Sequence, residues 1–412
     1  MRILFLYAFF CFLVFNECLH AKAFKVYPGQ HSIHAAIAKA TPGDELLLQP
    51  GIYKEHEIIV NKKLTISGIN FPVIDGENKY ALFTVTANGV IIDGLQLQNT
   101  GRNSMSDIAG VKIINAKNVK VSFNLFYNNT YAVYLQNASY ILITDNYIKG
   151  NAVDEFNSGN GVHAWKSDHL TIRSNTISGQ RDGIYFEFVT ESQIIKNKSF
   201  TNARYGLHFM FSHNDIYKEN VFSNNGAGVA VMYSRGVEMY CNTFSQNWGD
   251  ASYGLLLKEI TDSKIGNNLF IKNTVGLYME GTTRIHTWNN NFLNNGWAMR
   301  VQASCSGSAI EHNNFIGNTF DIATNGTLVL NNFDGNYWDK YDGYDLDKNN
   351  TGDVPYYPVS LFSVVIEKTP TAMILFHSLL SHVMDQAEKV MPSIIPDQLR
   401  DNSPLMKRIT NI

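Results

Sequence analysis

Residues 206–231 run Gly206-Leu207-His208-Phe209-Met210-Phe211-Ser212, then Ile216-Tyr217-Lys218-Glu219-Asn220-Val221-Phe222, then Gly228-Val229-Ala230-Val231. Two markers stand in this stretch, a Gly followed by an aliphatic residue and an Asn two places before Phe or Ile. After Gly206 the first and third positions, Leu207 and Phe209, are apolar, while His208 and Met210 alternate with them. That is the period-two pattern of a strand with one face in and one face out. Gly228 restarts the pattern 22 residues later.

Outward from this stretch both markers keep step. Asn-x-Phe/Ile recurs at Asn124, Asn146, Asn175, Asn220, Asn242, Asn268, Asn290, Asn313 and Asn331, with an irregular copy at Asn197. Counting that copy, the spacings are 22, 29, 22, 23, 22, 26, 22, 23 and 18 residues. The Gly marker falls at Gly161, Gly183, Gly206, Gly228, Gly254 and Gly276. Three residues before each Asn an aliphatic column runs Val121, Ile143, Ile172, Ile194, Met239, Ile265 and Ile310, interrupted by Tyr217 and Thr287. Coils of about 22 residues, each of two or three short strands stacked about 4.8 Å apart, predict an all-β fold, a right-handed parallel β-helix. The Asn column then has a structural task. Amides stacked on successive coils can bond as a ladder, and Asn tolerates the left-handed backbone of tight bends.

The rest of the chain is read around this solenoid. It has 412 residues, 17% charged and 45% hydrophobic, with a net charge of -3; Asn, at 45 residues, is abundant. Near-neutral charge argues against nucleic-acid binding, which uses a basic surface. Met1-Arg2, the apolar run Ile3–Phe15 and the small-x-small Ala21-Lys22-Ala23 predict a cleaved secretory signal over 1–23. The β-helix is expected over 24–335, with a helical cap at Ile33–Ala40. Residues 336–412 are expected to form an Asp/Tyr-rich loop, an apolar, partly helical docking or capping segment from Ser360 to Met391, and a mobile tail. Cys241 and Cys305, two to three coils apart, lie beyond disulfide reach and are expected to be free thiols.

A solenoid carries function on its outward columns. One candidate is the outward side of the Gly-led strands, with His163, His208, Met210 and Met232. Imidazole with thioether suits Cu(I), and the neighbouring Trp165 and Tyr185 fit a docking surface. A second is Asp345, Asp347, Asn349 and Asp353, spaced like positions 1, 3, 5 and 9 of a calcium loop. It lacks Gly at position 6 (Asn350) and Glu at position 12 (Tyr356), so an Asx-turn cluster is the favoured reading. A third is Arg181-Asp182-Gly183 with Glu187, where polysaccharide chemistry would require paired carboxylates. Along the columns the acids read as scattered, Glu187 and then Glu280, and His213-Asn214-Asp215 as an isolated polar group.

Gly161-Val162-His163-Ala164-Trp165, Arg181-Asp182-Gly183-Ile184, Gly206-Leu207-His208-Phe209-Met210-Phe211-Ser212, Asn336-Tyr337-Trp338-Asp339-Lys340-Tyr341-Asp342-Gly343-Tyr344-Asp345 and Gly352-Asp353-Val354-Pro355-Tyr356 resemble the NosD family. These are the periplasmic β-helix proteins needed to mature nitrous oxide reductase in denitrification. The resemblance implies a non-catalytic periplasmic partner of an ABC transporter, held at the inner membrane by its permease and ATPase subunits. It also implies a copper chaperone lipoprotein and nitrous oxide reductase as partners, and copper or a sulfur species as the delivered material. The apolar Met373-Ile374-Leu375-Phe376 and Leu379-Leu380 would dock on the permease or cap the last coil. His377 and His382, five apart, do not share a helical face. A secreted polysaccharide lyase or epimerase remains the alternative.

Overall fold

In a computed structural model, the described residues are 21–102, 106–152, 158–326, 331–376, 378–379, 383–384 and 399–410. Residues 1–20 of the signal expected over 1–23, His377 and His382, and most of the segment up to Met391 lie outside them. The chain winds as a parallel β-helix whose three sheets hold 14, 12 and 13 strands, every neighbouring pair parallel. The second of these, the 12-stranded sheet, is formed by the Gly-led strands, among them Val162–Trp165, Asp182–Glu187, Tyr205–Met210 and Ala227–Met232. Its register runs His163↔Tyr185↔His208↔Ala230 in one outward column and Trp165↔Glu187↔Met210↔Met232 in the next.

The Gly marker has a steric cause. A Cβ on Gly206 would lie 2.7 Å from the carbonyl oxygen of Gly228 on the next coil, and the equivalent glycines face the same collision. The Asn marker is a buried ladder. Asn220 Nδ2 donates to Asn242 Oδ1 (3.0 Å) and to the Ile194 carbonyl (2.8 Å), while its Oδ1 accepts from Asn197. Each such bond contributes about 1 kcal/mol net, and losing a rung strands buried partners at greater cost. The left-handed residue is not the Asn itself but the one before it: Phe123, Asp145, Ser174, Lys196, Glu219, Cys241, Asn267, Asn289 and His312.

Three details differ from the repeat as read in sequence. Asn197 is a regular rung, and it is Ser199 that enters the interior where other coils place Phe or Ile. Asn331 is not a rung; the ladder passes from Asn313 to Asn336, 23 residues on, restoring the period. A second ladder, five residues after the first, joins Asn202, Asn225, Asn247, Asn273, Asn295 and Asn318. Inside the coils Phe222, Phe244, Phe270, Phe292, Phe315 and Trp338 stack nearly parallel at 4.1–5.7 Å. Tyr217 and Thr287 keep their places in the buried aliphatic column with hydroxyls unbonded. Cys241 and Cys305 are free thiols.

Both ends are closed. Helix α1 (Ser32–Lys39) covers the first coil. Buried Glu55 accepts from the Ser32 hydroxyl and the Ile33 and His34 amides, and Lys62 donates to the Ile37 and Ala40 carbonyls. The orphan groups at both helix ends are thereby satisfied. At the other end the chain was expected to finish as a mobile tail, yet 399–410 returns to the last coil. Asp401, fully buried, accepts from Gly335 N, Asn336 N and Nδ2, Trp338 Nε1 and Ser403 N, and so terminates the ladder. A carboxylate offers acceptors only, which is what the last row of amide donors needs. Helix α2 (Leu361–Lys368), started by the Ser360 side chain, and the 3₁₀ turn Pro370–Leu375 lie against the outward side of the second sheet's last strand, Phe320–Ala323.

Candidate functional site

Strand alternation puts Leu207 and Phe209 in the core and turns His208 and Met210 outward, but outward does not mean exposed. His208 is only 5% accessible. Tyr185 meets its ring edge-on at 5.0 Å and Tyr205 at 4.8 Å. Neither ring nitrogen of His208 has a hydrogen-bond partner, and Nδ1 lies 3.9 Å from Asp182 Oδ2.

His163 is held differently. Its ring is sandwiched between Tyr134 (5.0 Å) and Tyr185 (4.7 Å), and its Nδ1 pairs with Asn160 Nδ2 at 2.9 Å. Burial, with Arg181 adding to it, pushes its pKa down to about 4. The two histidines share one column, as expected, but the Tyr185 ring stands between them. Met210 and Met232 are register neighbours, and the Tyr185 hydroxyl lies 3.5 Å from the Met210 sulfur and 3.4 Å from Glu187 Oε2. Burial, reinforced by the Glu187 carboxylate, raises the Tyr185 phenol to about 12. Trp165, at the head of the methionine column, carries the Lys166 ammonium over its ring at 4.4 Å.

Beside these lies a charged cluster larger than the sequence suggested. Asp182 is fully buried; Arg204 binds both its oxygens, Nε to Oδ1 at 2.9 Å and Nη2 to Oδ2 at 2.5 Å, and Arg181 Nε is 3.7 Å away. Burial would raise the Asp182 carboxyl, but the Arg204 hydrogen bonds, helped by the His208 ring, outweigh it and hold the carboxyl low. Asp182 is thus grouped with basic side chains and not with a second carboxylate. Arg204 and Tyr205 were missed although they precede Gly206 directly, as Arg181 and Asp182 precede Gly183. Their position at the start of a Gly-led strand was the available signal. Tyr131 and Tyr134 complete the aromatic surround.

The remaining candidates have structural work. Asp345 accepts from the Asn349 and Asn350 amides and Asp353 from the Leu346 amide, while Asp347 and Asn349 form Asx turns by accepting from the Asn349 and Thr351 amides, all on an exposed loop. Asp215 is buried, takes one bond from Ser192 N, and is pushed up by burial. Glu280 pairs with Lys258 at 3.3 Å. Among the described residues, the group of three His, Cys, Asp or Glu side chains close enough to share an ion is His31, His34 and Glu55. There Glu55 is already committed to capping α1.

With this geometry in place, comparison with known proteins is informative. Residues 144–343, which include His163, Asp182, Tyr185, His208, Met210 and Met232, match the family described as NosD, periplasmic copper-binding protein. A protein of Pseudomonas aeruginosa named as a probable ABC transporter binding protein NosD is 27% identical over 81% of this chain and 82% of its own length. Over these residues the chain is similar to the NosD family. A second NosD-type relative of the same name, from Stutzerimonas stutzeri, is 24% identical over 81% of this chain and 80% of its own. Among solved structures, an α-1,3-glucanase catalytic unit from Streptomyces thermodiastaticus superposes with a TM-score of 0.61 at 13% identity, covering 78% of this chain and 69% of that one. The A-module of the Azotobacter vinelandii mannuronan C-5 epimerase AlgE4 gives 0.51 at 17% identity, covering 76% and 91%. At such identities they show that this chain has a β-helix fold and nothing about its chemistry.

Proposed function

We propose that this chain is a non-catalytic periplasmic binding protein of an ABC transporter and passes Cu(I) toward the copper sites of nitrous oxide reductase. The observation that carries the reading is the placement of His208, whose ring nitrogens make no hydrogen bond and whose Nδ1 faces Asp182 at 3.9 Å, beside the register pair Met210 and Met232. One imidazole and two thioethers make a soft donor set suited to Cu(I). His163, clamped by Asn160 and two tyrosines, belongs to the wall of this face rather than to its donors. Calcium at Asp345, Asp347, Asn349 and Asp353 would have to displace the amides those side chains now accept from.

Docking on the permease is assigned to the C-terminal segment. Phe362, Ile366, Met373 and Phe376 pack toward Phe320, leaving Ile374, Leu379 and Val383 largely exposed. No helix among the described residues is long and apolar enough to cross a membrane. An exposed apolar row of this kind fits a protein partner. The chaperone lipoprotein is the donor in this scheme and the transporter, with its ATPase, the anchor.

A polysaccharide lyase or epimerase is the second reading, favoured by the concentration of Asp182, Arg181, Arg204, His208 and four tyrosines on one face. Against it, Asp182 is fully buried and bound by Arg204, so it cannot meet a polymer as a free acid or base. Capture of mature protein by the chaperone lipoprotein and by the detergent-solubilised permease complex, with Cu(I) titration alongside, tests the proposal. Capture with Cu(I) uptake lost in His208→Ala and Met210→Ala supports it. Capture without any Cu(I) binding reduces the face to a docking surface, and absence of capture together with cleavage or epimerisation of an acidic polysaccharide establishes the alternative.

A further inference from the structure

Tyr185 is not a donor in the copper reading, yet it touches His163, His208 and Met210. We infer that Tyr185 is a selectivity residue, a wedge that keeps His163 and His208 from meeting on one ion and so rejects divalent, imidazole-seeking metals. The inference rests on the copper reading for its purpose, but its geometry stands apart from it.

The two histidines are two strands apart in one column, roughly 10 Å between their backbones. The Tyr185 ring fills the interval, with centroids 4.7 Å from His163 and 5.0 Å from His208. Two imidazoles bound to one Zn(II) at about 2.0–2.1 Å each must bring their nitrogens within roughly 4 Å of one another. An aromatic ring between them forbids this. Among the described residues, no three His, Cys, Asp or Glu donors converge on this face, in keeping with the wedge. Tyr134 behind His163 and Asn160 on its Nδ1 hold that ring against the wedge.

The donors left to the face are then one imidazole and the paired thioethers. Zn(II) and Cu(II) gain from a second imidazole, whereas Cu(I) is satisfied by thioether sulfur. The Tyr185 hydroxyl does not block the sulfur irreversibly. It lies 3.4 Å from Glu187 Oε2 as well as 3.5 Å from Met210 Sδ, so its proton has a second acceptor when the thioether is engaged.

The test is metal binding by the purified mature chain: Zn(II) and Cu(II) by competition with a chromophoric chelator, and Cu(I) by competition with bicinchoninate. Wild type and Tyr185→Phe are expected to show no divalent binding that depends on both histidines. Tyr185→Ala and the strand-favouring Tyr185→Val are expected to gain Zn(II) affinity by about tenfold or more. Adding His163→Ala or His208→Ala to either is expected to abolish the gain. A folded Tyr185→Ala or Tyr185→Val chain with no gain overturns the wedge. So does an equal gain in Tyr185→Phe, or Zn(II) binding by wild type that requires both histidines. The copper reading fails on a different result, wild-type Cu(I) binding that is absent or indifferent to His208→Ala, Met210→Ala and Met232→Ala.

Discussion

Between Tyr131 and Met232 the outward face of the second sheet is filled by its own tyrosines, imidazoles and methionines. Between Trp297 and Ala323 the same face carries Trp297, Arg300 and Phe320, and α2 lies across it. Arg300 Nη2 donates to both oxygens of Glu367 on α2 at 2.7 Å, and its guanidinium sits over the Tyr278 and Trp297 rings at 5.5 and 5.6 Å. Two stretches with one backbone pattern thus solve the same problem differently. Where a covering element is supplied, the column side chains are anchors for it. In the first stretch the described side chains bury one another, and the ring nitrogens of His208 are left without a hydrogen bond.

The sharpest way to break the covered stretch is Phe362→Ala, which empties the small cluster of Phe320, Phe362 and Ile366. A loss of about 3 kcal/mol is expected, confined to α2 and the following turn. Amide exchange should show 361–375 opening while the coils stay protected; uniform loss of protection would mean that α2 is part of the main core.

For the open stretch the larger test is pH. His163 titrates at about 4 when folded and near 6.5 when unfolded, so the unfolded chain takes the proton first. Stability should therefore fall as pH drops from roughly 6.5 to 4, by an amount on the order of 2–3 kcal/mol. Asp182, held low in the folded chain, contributes stability above the unfolded carboxyl value that is lost only at still lower pH. Denaturant melts of wild type and His163→Gln should differ in slope across the upper window; identical slopes would contradict the buried neutral imidazole.

A smaller effect is expected from Glu367→Gln, about 1–2 kcal/mol against α2 docking, because Arg300 is left partly buried without its counter-ion. Removing both partners, Arg300→Met with Glu367→Leu, should recover most of that loss. Smallest of all for stability is Met210→Leu with Met232→Leu, under about 1 kcal/mol since shape and apolarity are kept. Cu(I) binding should nevertheless disappear, so the pair separates packing from ligation on the open face.

Much of the coil was legible because each marker has one dominant cause. Glycine is needed where a Cβ would strike the neighbouring coil, and Asn is needed where stacked amides are buried. The false rung at Asn331 shows the limit: Asn-x-Phe recurs in the first sheet's Asn332–Asp334 strand, and only the ladder's hydrogen bonds select Asn336. The second ladder was equally present in the sequence, always five residues on, but without a flanking Phe to mark it.

Sequence by itself determined the coil period, the inward columns and which residues would share an outward face, because alternation and stacking follow from local spacing alone. Tertiary structure decided what those outward residues do. Tyr185 divides two histidines that the column merely aligns, Arg204 reaches back one coil to Asp182, α2 covers one end of the face, and Asp401 returns from far along the chain to close the ladder. Each of these depends on side-chain direction or on contacts across distant segments, which a periodic pattern does not encode.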